Sequence, residues 1–541
     1  MKSLIATLST FLSARSNRPR KIGVSVLGLT MPILMLLTLS NCGGGGGSSR
    51  VPPERIKNAW QSGVFKDAST FVNRCVNPRA GIDKITNASY PDMLGTILEE
   101  NNFLRSWNND TYLWYNEVVD VDPAKDDVPT EYFDKLRTTQ KTASGKDKDN
   151  FHFFYKTAVW DGLINAGVDT GYGVEWAWIK GDAPDRNVVV AYTEVGSPAA
   201  TANLLRGAKI ISIDGADFVN GNDVATLNAG LFPADNGERH VFVVQDYGSN
   251  TTREVVLVSA EVIKTPVQTV KTIDTPNGKV GYFLFNDHLK TAEQGLIDAV
   301  NQLQGVNDLV LDVRYNGGGY LYIASQLAYM IAGDDATRDK TFETTIFNDK
   351  YKTKDFFGNP LTPRPFFDTS SENVKLPTLN LKKVFVITSS DTCSASEAII
   401  NGLRGINVEV IQIGAKTCGK PYGFYGQDNC SNTYFTIQFK GVNDKGFGEY
   451  SDGFSPAKSG ESDNGEDIIK GCNLGDDYSH LLGDPAELNL ATALNYRATG
   501  SCDLPVASTS LKMEKLSGEN YLGVSGTVNK GPGLTNRIMR K

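Results

Sequence analysis

Four short apolar runs punctuate the second half of the chain: VGYFLF at 280–285, DLVLDV at 308–313, VFVI at 384–387 and VEVIQI at 408–413. Runs this short, rich in β-branched and aromatic residues, read as strands. Between the first two, residues 292–303 carry the apolar spacing of an amphipathic helix, and after the third the positions Ala398, Ile399 and Leu403 start another. Alternation of this kind folds as an α/β layer.

Two strand-to-helix junctions in this layer are chemically unusual. Small residues crowd Ser394, Ala395 and Ser396 where the helix pattern begins. A serine at a helix N-terminus meets the positive end of the helix dipole and free backbone N–H groups that can bind an oxyanion. It still needs a base. The chain has four histidines, His152, His240, His288 and His480, and none lies in a small-residue or glycine-rich turn near this serine. Lysine is the alternative, because an ammonium buried in an apolar pocket loses hydration and its pKa falls. Lys420 sits in the loop after 408–413. A helix cap and a solvated lysine would look the same in isolation. The other junction, RYNGGGY at 314–320, carries three glycines that let backbone N–H groups approach a substrate, or that simply make a tight turn. His288 reads as structural.

Read together, SASE at 394–397 followed by the GK of Gly419 and Lys420 resembles the active-site signature of the carboxyl-terminal processing peptidases, or tail-specific proteases. The loop DVRYNGGG at 312–319 resembles that family's second signature, and the resemblance extends over roughly 101–500. It implies Ser394 as nucleophile and Lys420 as general base. It also implies an oxyanion hole from the N–H of Gly318 or Gly319 together with that of Ala395. Two positions depart from the family pattern: Phe424 stands where several members have glutamine, and Gly405 where others have aspartate. Either the pair works alone or another group orients the amine, with Gln427, Tyr422, Tyr425 and Glu397 as candidates.

The first residues speak to compartment. Residues 1–21 hold five basic residues and no acid, 22–39 are apolar apart from small residues and Pro32, and Cys42 follows Leu39, Ser40 and Asn41. This is a secretory leader that resembles a bacterial lipoprotein cleavage box, with Asn41 departing from the small residue usual there. A plain signal anchor is the other reading. The glycine and serine run from 43 serves as a flexible linker to about 70. Loss of 1–42 takes the formal charge from −8 to −13, which argues against a nucleic-acid partner. Six cysteines then remain, an even number that suggests disulfides in an exported protein, with 15 possible connectivities. A bridge between Cys393 and Cys418 would brace the site. No spacing suggests a metal, and no cofactor is implied.

The expected organisation is multidomain α+β. A helical N-terminal domain spans 71–165, with Phe103, Leu104, Trp107, Tyr112, Leu113 and Trp114 as core. Residues 166–264 resemble a PDZ domain, with Gly171, Tyr172, Gly173 and Val174 at its carboxylate-binding loop. The α/β catalytic domain, of crotonase-like layered type, spans 265–500, and 501–541 form a polar tail. A crotonase-like acyl-CoA enzyme would share the oxyanion geometry, but nothing recognisable would hold its nucleotide. The resemblance together with the leader and Cys42 implies an exported serine endopeptidase, lipid-tethered to a membrane of the bacterial envelope and acting on peptides. Its rival is a peptide-binding lipoprotein scaffold without turnover.

Overall fold

The computed structural model describes residues 60–83, 87–457 and 461–504, with the backbone of 537–538. The leader, Cys42 and the glycine run lie outside the described residues, as does the tail from 505 to 536. Among the described residues no helix is long and apolar enough to cross a membrane.

Helix α1 (Ile97–Thr111) starts at Thr96, whose hydroxyl accepts the Glu99 N–H at 3.2 Å and so satisfies one of the free donors of the first turn. Its Phe103, Leu104 and Trp107 pack on Tyr132, Phe133 and Leu136, and Tyr434 closes the cluster from far along the chain. The strand Phe153–Lys156 pairs antiparallel with Asn432–Phe435, and a Cys75–Cys430 disulfide ties the same junction. Helix α2 (Thr157–Ala166) buries Trp160, Leu163 and Ile164 beside Phe424, Phe435 and Ile437. The N-terminal stretch therefore shares its core with the later strands; a segment this short buries too little apolar surface alone.

An antiparallel sheet follows, built from β1 (Val174–Lys180), β2 (Asn187–Thr193), β3 (Lys209–Ile213), β4 (Arg239–Gln245) and β5 (Thr252–Val258) in the order β5-β4-β3-β2-β1. Helix α3 (Val224–Leu231) covers one face through Leu227 and Leu231, over Val188, Val190, Ile210, Phe242 and Val244. Strand β1 is the terminal strand of this order.

The α/β layer has strands β6 (Val267–Thr275), β7 (Gly278–Phe285), β8 (Asp308–Asp312), β9 (Lys383–Thr388), β10 (Glu409–Gly414) and β11 (Gly471–Asn473), adjacent in that order. Only the first pair is antiparallel. Phe283, Phe285, Leu309, Leu311, Val384 and Val386 pack with α4 (Ala292–Gln302), α5 (Leu321–Ala332) and α6 (Ala395–Gly405). Tyr282, Val310, Phe385, Ile387, Ile411 and Ile413 cluster instead with Leu490 and Ala493 of α7 (Leu488–Thr499). Successive side chains thus alternate between two covered faces, which is why these runs lack a polar face. Full burial of each large apolar side chain contributes about 1.5–3 kcal/mol.

Parallel register sets the position of everything that follows. Asp312 pairs with Ile387, and the Val313 N–H donates to the Ile387 carbonyl at 3.0 Å. The glycine loop after β8 and the serine turn after β9 consequently leave the sheet side by side.

Beneath them lies a buried ionic cluster. Arg314 donates to Asp312, Glu487 and Asp476, and Tyr282 donates to Asp312 at 2.8 Å. Arg206, between β2 and β3, reaches the same Asp476 at 2.8 Å, so the cluster joins the antiparallel sheet to the α/β layer. Burial alone would raise Asp476, but the two guanidiniums hold it well below the usual carboxylate range.

Candidate active site

Ser394 is the residue on which strand β9 and its loop turn into α6. Its backbone has φ +59° and ψ −109°, a conformation that a β-carbon makes unfavourable and that persists only when the surroundings enforce it. Those surroundings are two hydrogen-bond hubs. Asn316, in the glycine loop, accepts the Cys393 N–H at 3.1 Å and the Ser396 hydroxyl at 3.0 Å on its carbonyl. Its side chain donates to the Phe285 carbonyl at 2.9 Å and accepts the Gly318 N–H at 2.9 Å. The neighbouring Thr392 hydroxyl donates to the Val313 carbonyl at 2.9 Å, and Ser389 donates to that of Arg314.

The second hub is Glu397, one turn into α6 and fully buried. Its Oε2 accepts the Ser394 N–H and the Lys420 N–H, both at 2.8 Å. Its Oε1 accepts the Thr417 hydroxyl at 2.6 Å and the Gly419 N–H at 2.9 Å. Burial raises this carboxyl, while these donors pull it back. Alongside, Cys393 and Cys418 form a disulfide, the pairing that flanks both chemical residues. Glu397 and these two sulfurs form a compact group among the described residues, but the sulfurs are bonded to each other and offer no thiolate to a metal.

Ser394 and Lys420 are completely buried. Among the described residues the Ser394 hydroxyl has no hydrogen-bond partner outside its own helix turn. The Lys420 amine lies 4.6 Å from the centres of the Phe151 and Phe424 rings. Burial lowers its pKa to about 7, against the opposing pull of Asp149 and Glu397. Phe424 thus supplies a ring where an amide was expected.

The glycine loop is shaped by close approach. Gly319 has φ +132°, and a β-carbon there would lie 2.7 Å from the His288 carbonyl oxygen, so only glycine fits. His288 is buried, its Nδ1 lies 2.9 Å from Asn316 Oδ1, and burial pushes its pKa down to about 3. It is a neutral prop of the loop. The backbone of 537–538 runs parallel to Gly319–Tyr320 as a short strand.

Sequence reasoning brought Ser394, Ala395, Gly318, Gly319 and Lys420 to one place, and the structure assembles them through Asn316 and Glu397. Of the four candidates for a further partner, Glu397 binds both segments. Gln427 donates to the Asp428 carbonyl, Tyr425 packs among Phe347 and Phe439, and Tyr422 clusters with Tyr112 and Trp160. Asn316 went unnoticed as a hub, as did Asp149 and Phe151, which no local signal connects to Lys420. Gly171–Val174 lies elsewhere, at the entry to β1. There Gly173 has φ +67° and a β-carbon would lie 2.4 Å from that of Ser197; the buried Tyr172 donates its hydroxyl to the Gly230 carbonyl at 3.0 Å.

Comparison with known proteins agrees with this architecture. A model of peptidase family S41 matches residues 279–424, and a model of the peptidase S41 N-terminal domain matches 99–153. The carboxyl-terminal-processing protease of Picosynechococcus sp. (strain ATCC 27264 / PCC 7002 / PR-6) is 29% identical over 234 residues, 42% of this chain and 49% of that protein. The chloroplastic C-terminal processing peptidase of Tetradesmus obliquus is 28% identical over 270 residues, 47% of this chain and 52% of that protein. The chain spans about half the length of these curated relatives. A crystal structure described as an S41 protease, from Bacteroides fragilis NCTC 9343, superposes with a TM-score of 0.56 at 22% identity, over 76% of this chain and 98% of that one. The fold is a mixed α/β, multidomain fold shared with an S41 structure. Both S41 models match stretches of this chain, and the curated relatives it resembles are carboxyl-terminal processing peptidases.

Proposed function

We propose that the protein is an exported serine endopeptidase that cleaves peptide bonds through Ser394 and Lys420, with 166–264 acting as a PDZ domain for peptide carboxyl ends. The observation that carries this reading is the shared carboxylate, on which the Ser394 and Lys420 N–H groups both rest at 2.8 Å. Two segments remote in sequence are thereby fixed in one dry pocket. A lysine whose pKa falls to about 7 there can act as a base near neutrality.

In this mechanism the neutral Lys420 amine takes the hydroxyl proton as Ser394 Oγ attacks the peptide carbonyl. The developing oxyanion is met by backbone N–H groups of Gly319 and of Ala395 at the start of α6, where the helix dipole adds to the attraction. Of the loop's two candidate donors, the Gly318 N–H is engaged by Asn316. The ammonium then protonates the leaving amine, and the same lysine activates the water that hydrolyses the acyl-enzyme. The parallel pairing of 537–538 on Gly319–Tyr320 supports an extended substrate backbone along that edge.

Support for peptide-end binding comes from Gly171–Val174 leading into β1, whose place at the end of the sheet leaves an edge for strand addition. Export and anchoring rest on the leader and Cys42.

Ser394→Ala abolishes hydrolysis of an unfolded protein substrate, and Lys420→Ala lowers kcat/KM by about 10²–10⁴-fold. Lys420→Arg fails equally, because a guanidinium stays protonated. Since the working base is the neutral amine, wild-type kcat/KM rises with pH through about 7 and is lost below it. Hydrolysis surviving in Ser394→Ala overturns the nucleophile, and activity in Lys420→Arg overturns the base. For the PDZ reading, amidation of a substrate's C-terminus removes a charged acceptor worth about 1.5–3 kcal/mol, a roughly tenfold or larger rise in KM; equal KM values refute it. For the anchor, a clickable fatty acid labels the wild type and not Cys42→Ser; equal labelling removes that part of the proposal.

A further inference from the structure

The pocket around the Lys420 amine is not built by the α/β layer alone. Phe151 comes from the end of the segment that matches the S41 N-terminal domain, and its ring lies 4.6 Å from Nζ. Phe151 is itself held by a carboxylate: its backbone N–H donates to Asp149 Oδ1 at 2.8 Å. The Tyr112 hydroxyl donates to Oδ2 at 2.7 Å and accepts the Thr138 N–H at 3.1 Å. His152 Nδ1 lies 3.6 Å from Oδ2, and both of these side chains are fully buried. The His152 Nε2 lies 3.0 Å from the Phe133 carbonyl. A carboxylate is thus enclosed two residues from the ring that covers the amine, and nothing in Ser394, Lys420 or their loops accounts for it.

We propose that Asp149 is a positioning residue for Lys420: through the Phe151 N–H it fixes the ring over the amine, and its charge sets the field in which the amine takes and releases a proton. This rests on the reading of Lys420 as base. Burial pushes the Asp149 carboxyl up, but the contact with His152 and the bonds from Tyr112 and the Phe151 N–H outweigh it and hold the carboxyl below its usual range, so it carries its charge near neutral pH. The field it sends to Lys420 favours the ammonium and opposes the desolvation that favours the amine. Without it the balance tips toward a weaker base. Glu397 is the other carboxylate acting on the amine. The phenols around the two carboxylates, Tyr112, Tyr422 and Tyr450, are all pushed up by burial and stay neutral; among the described residues His152 is the imidazole that faces Asp149. The N-terminal segment therefore completes the catalytic pocket and tunes its base.

The test is the pH dependence of covalent labelling of Ser394 by a small fluorophosphonate in the full chain. Asp149→Asn keeps the Oδ1 acceptor for the Phe151 N–H and removes the charge. Its labelling midpoint moves below the wild-type value of about 7, and the rate above the midpoint falls about threefold to tenfold, as for a weaker base. A purely structural defect would lower the rate and leave the midpoint in place. If Asp149→Asn does not fold, Tyr112→Phe serves instead: it strips a donor that offsets the carboxylate's charge, so the midpoint moves up. An unmoved midpoint in Asp149→Asn, an unmoved or lowered one in Tyr112→Phe, or a pH limb that vanishes in His152→Gln overturns the proposal. Wild-type labelling across pH in Lys420→Ala would instead overturn the underlying reading of Lys420 as base.

Discussion

A single buried carboxylate holds the site together. Glu397 lies where a charge costs several kcal/mol to desolvate, and it persists because four donors converge on it. Two of these are the backbone N–H groups of Ser394 and Lys420, and a third is that of Gly419. The fourth, the Thr417 hydroxyl, accepts the Phe454 N–H at 2.7 Å and so extends the grip to the next segment. With the Cys393–Cys418 bridge beside it, the serine turn and the lysine loop cannot move independently. The left-handed backbone of Ser394 is stable only under such constraint.

The loop at 312–319 divides its work between two side chains. Arg314 points into the ionic cluster with Asp312, Asp476 and Glu487, and anchors the strand end to α7 and to the antiparallel sheet. Removing one member of such a buried cluster would leave uncompensated charge at about 3–5 kcal/mol. Asn316 faces the other way and stitches the glycine loop to the serine turn. One short motif therefore carries a structural residue and a residue that shapes the site, and neither is interchangeable with a neighbour.

Much of this was legible in the residues because it is local. The apolar runs became β7 to β10 within a residue or two, and the small residues at 394–396 became the start of α6, since strand and helix periodicities are set by the backbone. What was not legible depends on distant partners. The aromatic residues of α1 looked sufficient for a domain, yet Tyr434 completes their core. Phe424 looked like a missing glutamine, yet its ring lies against the amine. No spacing rule links Asp149 or Phe151 to Lys420; parallel strand order and the pairing of Phe153–Lys156 with Asn432–Phe435 bring that segment back toward the pocket.

The central proposal is that Ser394 is a nucleophile whose proton is taken by Lys420, a buried lysine whose backbone shares the Glu397 carboxylate with it. The most direct measurement is to react the wild-type chain with a fluorophosphonate at a series of pH values and map the modified peptide by mass spectrometry. The account predicts one adduct, on Ser394, forming faster as pH rises through about 7 where the Lys420 amine becomes neutral. An adduct on another serine, or a rate on Ser394 that is flat across neutral pH, would contradict it.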